Sequence, residues 1–180
     1  MGTKKFLAIA WFFLFVFVTD QLNAQETKNQ TSKNTFLIEA NTGFSEVGIT
    51  GIYAYVVDDV VYYNFGADAG YFVMDDLAIR LGLFYEGGGN KRGRLSYRLG
   101  GKYYINSIIP VGLDITGQSV EDYDNNPTWL GIQAGYAFFL NDRIAIEPGA
   151  RWNQSLNEDW DDSGFFELNV GFTLFFKNEN

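Results

Sequence analysis

The chain has 180 residues, with 13 lysines and arginines against 22 aspartates and glutamates, a formal net charge of −9, and neither cysteine nor histidine. Without thiol or imidazole there is no disulfide framework, no Ser-His-Asp or Cys-His nucleophile and no histidine-based zinc site. The acidic balance argues against nucleic acid as a partner. An aromatic content of 18% with 3 prolines argues against a disordered chain.

Lys4 and Lys5 precede the apolar run Phe6 to Val18, "FLAIAWFFLFVFV", and "TDQLNA" leads to a cleavage position after Ala24. A spanning helix needs about 20 apolar residues, so residues 1–24 read as a secretory signal peptide and not as a retained anchor. No cysteine follows the cut, which excludes a lipoprotein. Cleavage removes Lys4, Lys5 and Asp20 and leaves 11 basic and 21 acidic residues, a charge of −10. Residues 25–34 are polar and read as a flexible lead-in.

From residue 35 the apolar pattern has period two. In "YFVMDDLAIRLGLFY", Tyr71, Val73, Leu77, Ile79, Leu81 and Leu83 share one face, while Phe72, Ala78, Arg80, Gly82 and Phe84 share the other. Eight strands are expected, at 35–46, 61–73, 77–87, 94–105, 110–119, 128–140, 143–154 and 164–176. Each is longer than the five or six or so residues usual in soluble sheets. The lengths suit tilted strands crossing a bilayer, which need about 9–11. Short links, "MDD", "NSII" and "ND", alternate with long ones, 47–60, "GGNKRG", "VEDYDNNP" and "SLNEDWDDS". Short turns at one end and long loops at the other are the plan of an outer-membrane barrel. An even strand count puts both termini at the short-turn end.

The apolar set continues through Leu130, Ile132, Ala134, Tyr136 and Phe138, then Ile144, Ile146, Pro148, Ala150 and Trp152, then Phe166, Leu168, Val170, Phe172, Leu174 and Phe176. Parity then sets the hairpins. Val73 pairs with Leu77 across a three-residue loop, which places Tyr71 against Ile79 and Ala69 against Leu81. Leu140 pairs with Ile144 in the same way, which places Phe138 against Ile146. "YAYVVDDVVYYNF" is expected to form a further hairpin tipped by Asp58 and Asp59 and projecting beyond the membrane.

With "GYFVMDDLAIRLGLFY", "AGYAFFLNDRIAIEPGARW" and the terminal "FFELNVGFTLFF", residues 35–176 resemble the small outer-membrane β-barrel superfamily that includes OmpX, OmpW and the OmpA barrel. The resemblance implies an all-β, eight-stranded, antiparallel, up-and-down transmembrane barrel, with residues 177–180 as a polar tail. It implies a Gram-negative outer membrane, with long loops outside and termini in the periplasm. Outer-membrane lipid, lipopolysaccharide and the barrel-assembly machinery are the partners it implies. Asn169, Gly171, Leu174 and Phe176 match the polar-x-Gly-x-x-apolar-x-aromatic assembly signal of such barrels, although "KNEN" follows Phe176 where members often end on the aromatic.

The opposite face carries Glu39, Asn41, Asp68, Arg80, Arg98, Lys102, Asp114, Glu147, Arg151 and Glu167 among many glycines. Eight strands leave room for side chains and little more. These charges therefore read as a paired network plugging the lumen, or as a narrow conduit whose ion pairs rearrange. Asp68 and Arg80 are the expected diagonal pair. Acidic clusters at Glu121, Asp122 and Asp124, and at Glu158, Asp159, Asp161 and Asp162, read as a solvated rim, or as sites of divalent-cation bridging to lipopolysaccharide. "NEDWDDSG" lacks the spacing of an EF-hand loop. "GGGNKRG" lacks the order of a phosphate loop. Lys91, Arg92 and Arg94 read as a charged hairpin tip.

No catalytic residue, metal-ligand set or cofactor site is assigned. The leading expectation is a non-enzymatic envelope or surface-contact protein. A pore or transporter for a small or hydrophobic solute is the alternative. A soluble calycin-like barrel would need the reverse arrangement, with the apolar face inside and the polar face outside.

Overall fold

The computed structural model describes residues 30–43, 51–89, 91–122, 126–157 and 164–177. The signal peptide, most of the lead-in, the end of the first expected strand and the last three tail residues lie outside them. The ten strands are β1 (Thr35–Gly43), β2 (Gly51–Val57), β3 (Val60–Met74), β4 (Leu77–Gly88), β5 (Lys91–Ile105), β6 (Ile109–Val120), β7 (Thr128–Gly135), β8 (Phe138–Asn141), β9 (Ile144–Ser155) and β10 (Gly164–Lys177).

Sequential antiparallel pairing from β3 to β7, then through β9 and β10 to β1, is closed by β1 pairing with β3. With β8 continuing β7 against β9, the wall has eight staves, as expected. The shear can be followed residue by residue. From Ala69 one route runs through Leu81, Leu99, Ile115, Leu130 and Gln154 to Gly164. The other runs through Ile38 to Leu174, ten residues away along β10. Such a stagger makes the strands tilt, typically by about 35–45°.

Alternation decides which set faces out. Ile79, Leu81, Leu83, Ile132, Trp152, Phe166, Leu168, Phe172, Leu174 and Phe176 are exposed on the outer surface. Arg80, Arg98, Lys102, Asp114, Glu147 and Arg151 are buried inside. A soluble ligand-binding barrel has the opposite arrangement, so that reading of the pattern is overturned. An outer belt this apolar is stable against hydrocarbon and not against water.

The hairpin registers are as expected away from the turns, with Tyr71 against Ile79, Ala69 against Leu81 and Phe138 against Ile146. Their closing pairs differ. Met74, not Val73, faces Leu77, and Asn141, not Leu140, faces Ile144, because a bulge interrupts each register just before the turn. An extra residue on one strand leaves the parity beyond it intact, so the inside–outside assignment survives. Asp76 takes the left-handed conformation (φ 63°) that such turns require.

The strand expected over 128–140 is interrupted at Tyr136 and Ala137. Its partner there is Pro148, which has no N–H to give the ladder. Tyr136 N still donates to the Pro148 carbonyl at 3.0 Å, while Ala137 N donates to the Ile108 carbonyl at 2.8 Å. The hairpin tipped by Asp58 and Asp59 (φ 51° and 61°) is present as β2–β3. β3 pairs with β4 as far as Tyr62 opposite Gly88, the last residue of β4, so the lower hairpin belongs to the wall. Above that pair both faces are exposed, Tyr55 and Val57 as well as Val56 and Val61, and the tip extends past β4. Within the expected lead-in, residues 30–34 form a turn against the β3–β4 connection. Asp76 N donates to the Thr31 carbonyl at 2.7 Å, and Lys33 N to Asp75 Oδ1 at 2.9 Å.

Candidate functional site

The lumen brings together side chains from every stave. Period-two strands aim alternate residues inward, and small residues among them leave space for long charged ones. At Gly131 a Cβ would collide with the Arg151 guanidinium, and at Gly82 with the Asp68 carboxylate and the Phe84 ring.

Asp114 on β6 is the hub. Arg151 reaches it from β9 with both terminal nitrogens, Nη1 to Oδ2 and Nη2 to Oδ1, each at 2.6 Å. This planar two-point grip is the strongest geometry available to such a pair. Arg80 Nη2 lies 3.5 Å from Asp114 Oδ2, Arg98 Nε lies 3.6 Å from Oδ1, and the Thr116 hydroxyl donates to Oδ1 at 3.1 Å. Arg80 extends the network to β1 through Nη1 and Glu39 Oε2 at 3.5 Å. Lys102 Nζ donates to the same Glu39 oxygen at 2.6 Å and also to Glu147 Oε2. The Tyr104 hydroxyl donates to Glu147 Oε1 at 2.8 Å. On the rim side, Arg98 Nη1 donates to Asp68 Oδ2 at 2.8 Å, and the Arg98 guanidinium lies 5.0 Å from the centre of the Phe84 ring. Glu167 takes Asn153 Nδ2 at 3.2 Å and lies 3.5 Å from Arg151 Nε.

These charges sit in a low-dielectric interior, where only pairing and hydrogen bonding make them tolerable. Asp68 Oδ1, Arg80 Nε and Glu167 Oε2 have no hydrogen-bond partner among the described residues. A cavity of about 20 Å³ lined by Glu39, Asn41, Lys102, Gln133 and Glu147 runs beside the network. That is room for about one water molecule. No group of acidic side chains suited to a metal ion is present among the described residues.

Towards the short turns the lumen changes character. Leu37, Phe72, Ala78, Tyr104, Ala137, Ala145 and Phe175 form a buried apolar floor, with Phe139 packed against it. The rings of Phe72, Tyr104 and Phe175 lie 5.8 to 6.4 Å apart in tilted and edge-on arrangements, the geometry aromatic groups favour.

All nine charged residues expected in the lumen face it, and the structure joins them into one network. The expected Asp68–Arg80 pair does not form. Asp68 pairs with Arg98, and Arg80 reaches Glu39 on β1 and Asp114 on β6, each two staves away. In so narrow a barrel a long inward side chain meets carboxylates two staves away as readily as one on the adjacent strand. Sequence reasoning missed Tyr104, Thr116 and Asn153 as network members, and it missed the floor as a unit. The signal lay in lumen parity: Phe72, Tyr104 and Phe175 all fall on it close to the short-turn end.

Asn169 and Gly171 turn inward on β10, while Leu174 and Phe176 turn outward. Of the loop acids, Glu121 and Asp122 are exposed, and Glu121 Oε2 accepts from Gly93 N at 3.2 Å. Asp124, Glu158, Asp159, Asp161 and Asp162 lie outside the described residues. Arg94 lies 4.0 Å from Glu86 near the rim.

No protein-family model matches the chain. No curated protein matches it either. Solved structures do match. The N-terminal β-barrel domain of Pseudomonas aeruginosa OprF aligns with a TM-score of 0.54 at 17% identity, over 80% of this chain and 98% of that one. The outer membrane protein OprG from Pseudomonas aeruginosa aligns with a TM-score of 0.53 at 13% identity, over 83% of this chain and 99% of that one. Likeness at these identities establishes the architecture. The chain has the fold of the small outer-membrane β-barrels.

Proposed function

We propose that the chain is a non-enzymatic outer-membrane barrel whose lumen is closed to solutes and whose work is done in the envelope and at its outer rim. The observation that carries this reading is the double closure of the bore. An apolar floor at Phe72, Tyr104 and Phe175 lies beneath a charge network that crosses from Glu39 through Arg80 to Asp114 and Arg151. The apolar belt supports residence in a bilayer. Residues 1–24 act as the export signal, the short turns face the periplasm and the long loops face outwards. Asn169, Gly171, Leu174 and Phe176 present the last strand to the insertion machinery. The acidic rim, from Glu121 and Asp122 to the 158–162 cluster, meets lipopolysaccharide through divalent cations or contacts a surface partner.

Planar-bilayer recording of the purified barrel tests the closed lumen. The expected result is no steady conductance, and a stable open channel in the unmodified protein would overturn it. The second reading, a narrow conduit, has one observation in its favour. Of the four lumen cations Arg80 is the least tightly paired with carboxylates, both 3.5 Å away, while Lys102 and Arg151 hold theirs at 2.6 Å.

A further inference from the structure

Among the described residues, the β2–β3 hairpin has an outer face that stays apolar without interruption up to its tip. Antiparallel partners share a face, so Ile52 with Phe65, Ala54 with Tyr63, and Val56 with Val61 form one outward surface. Ile52 is 89% exposed, Val56 64% and Val61 52%. Asp58 and Asp59, in the turn, are the first charges on the hairpin above Asp68.

Most of the staves that can be compared behave differently at that height. A shear of ten residues over eight staves makes rows climb by a little over one residue per strand from β3 towards β10. At the height of Val56 and Val61 the outward residues are therefore Gly87 on β4, Ser119 on β6 and Thr128 on β7, while β9 has Leu156 just past its end. On β4 and β7 the apolar belt has ended at Tyr85 and Leu130, and on β9 Gln154 interrupts it between Trp152 and Leu156. On the hairpin it runs roughly two residues further, which is about 5 Å along the axis at this tilt.

We infer that the outer face of the hairpin is a lipid-contact surface, seated against the acyl chains and inner headgroup region of the outer leaflet. Its lower edge is continuous with the belt, since Phe65 pairs with Tyr85 and Tyr63 with Gly87 in the same sheet. It offers no side-chain charge and no polar pattern that a protein or sugar would read. The cost of about 5 Å of local mismatch is met by tilting the barrel towards the hairpin or by thickening the leaflet there. This inference rests on the proposed membrane residence and adds to it a direction, because one side of the barrel sits more deeply in the outer leaflet than the other.

The absence of cysteine makes the test direct. Single cysteines at Val56, Val61, Ser119, Thr128, Leu81 and Asp58 are spin-labelled in the full barrel reconstituted in phospholipid vesicles. Collision with oxygen, which partitions into lipid, is compared with collision with a water-soluble nickel chelate. The expected result is that labels at 56 and 61 resemble the one at 81, favouring oxygen several-fold more than labels at 119, 128 and 58 do. Labels at 56 and 61 matching the one at 58 would overturn the inference and place the hairpin in water. Exclusion of both reagents at 56 and 61 would overturn it in favour of a protein partner or a second copy. A label at 81 open to nickel would overturn the membrane reading itself, and this inference with it.

Discussion

Replacing Asp114 with asparagine keeps the shape of the hub and removes its charge. In the native lumen Asp114 meets Arg151 through two 2.6 Å contacts and also faces Arg80 at 3.5 Å and Arg98 at 3.6 Å. Asp114→Asn leaves those three guanidinium groups short of a carboxylate. Arg98 retains Asp68, and Arg80 retains Glu39. Of its carboxylates Arg151 keeps only Glu167 at 3.5 Å, beside neutral contacts to Asn153 and Gln133. Breaking a buried pair from one side costs about 3–5 kcal/mol, because an uncompensated charge stays behind. The upper half of that range is expected here, since Arg151 loses its two-point partner. Urea unfolding of the reconstituted barrel reads the loss. Trp129, buried in the lumen, and Trp152, on the outer face, report separately. Adding Arg151→Gln removes one of the stranded charges, so the double variant is expected to lose less than the two single losses combined, by about 0.5–3 kcal/mol. A loss under about 0.5 kcal/mol for Asp114→Asn, or strict additivity of the pair, would refute the view that these charges form one coupled plug.

Other perturbations separate the floor, the belt and the turns. Phe175→Ala empties the centre of the apolar floor and is expected to cost about 3–5 kcal/mol in the same unfolding assay. Leu81→Arg puts a charge at mid-belt and is expected to cost about 2–4 kcal/mol, while Ser119→Arg at the rim costs about 0–1; equal losses at the two sites would contradict the placement of the belt. Asp58→Asn with Asp59→Gly gives the two positive-φ positions the residues that such a two-residue turn favours. A gain of about 0.5–1 kcal/mol is expected, read as a raised urea midpoint.

Much of this arrangement was legible because a two-residue period leaves only one binary choice, which face is inward, and the charges made it. Arg80, Arg98, Lys102 and Arg151 on one parity cannot form a dry core facing lipid, so every lumen assignment followed. What was not legible depends on contacts between distant strands. Pro148 interrupts the 128–140 strand from across the sheet, through a hydrogen bond it cannot donate. The bulges before Leu77 and Ile144 move the closing pair by one residue without changing parity, so no alternation pattern reports them. Asp68 and Arg80 are neighbours along the wall, but the partners of Arg80 are two staves away on either side, and adjacency in the register does not encode that reach. The β2–β3 hairpin was visible from its Asp58–Asp59 turn. Its height was not, since that depends on the register of Tyr62 with Gly88 and on the shear of the whole barrel.

The most direct test of the account is fractionation of the outer membrane followed by denaturing gel electrophoresis with and without boiling. A closed barrel held by a continuous hydrogen-bonded wall is expected in the membrane fraction, and unboiled it should run as a compact species that shifts on heating. Recovery in the soluble fraction with no heat-dependent shift would contradict the membrane barrel and every role proposed for its lumen and rim.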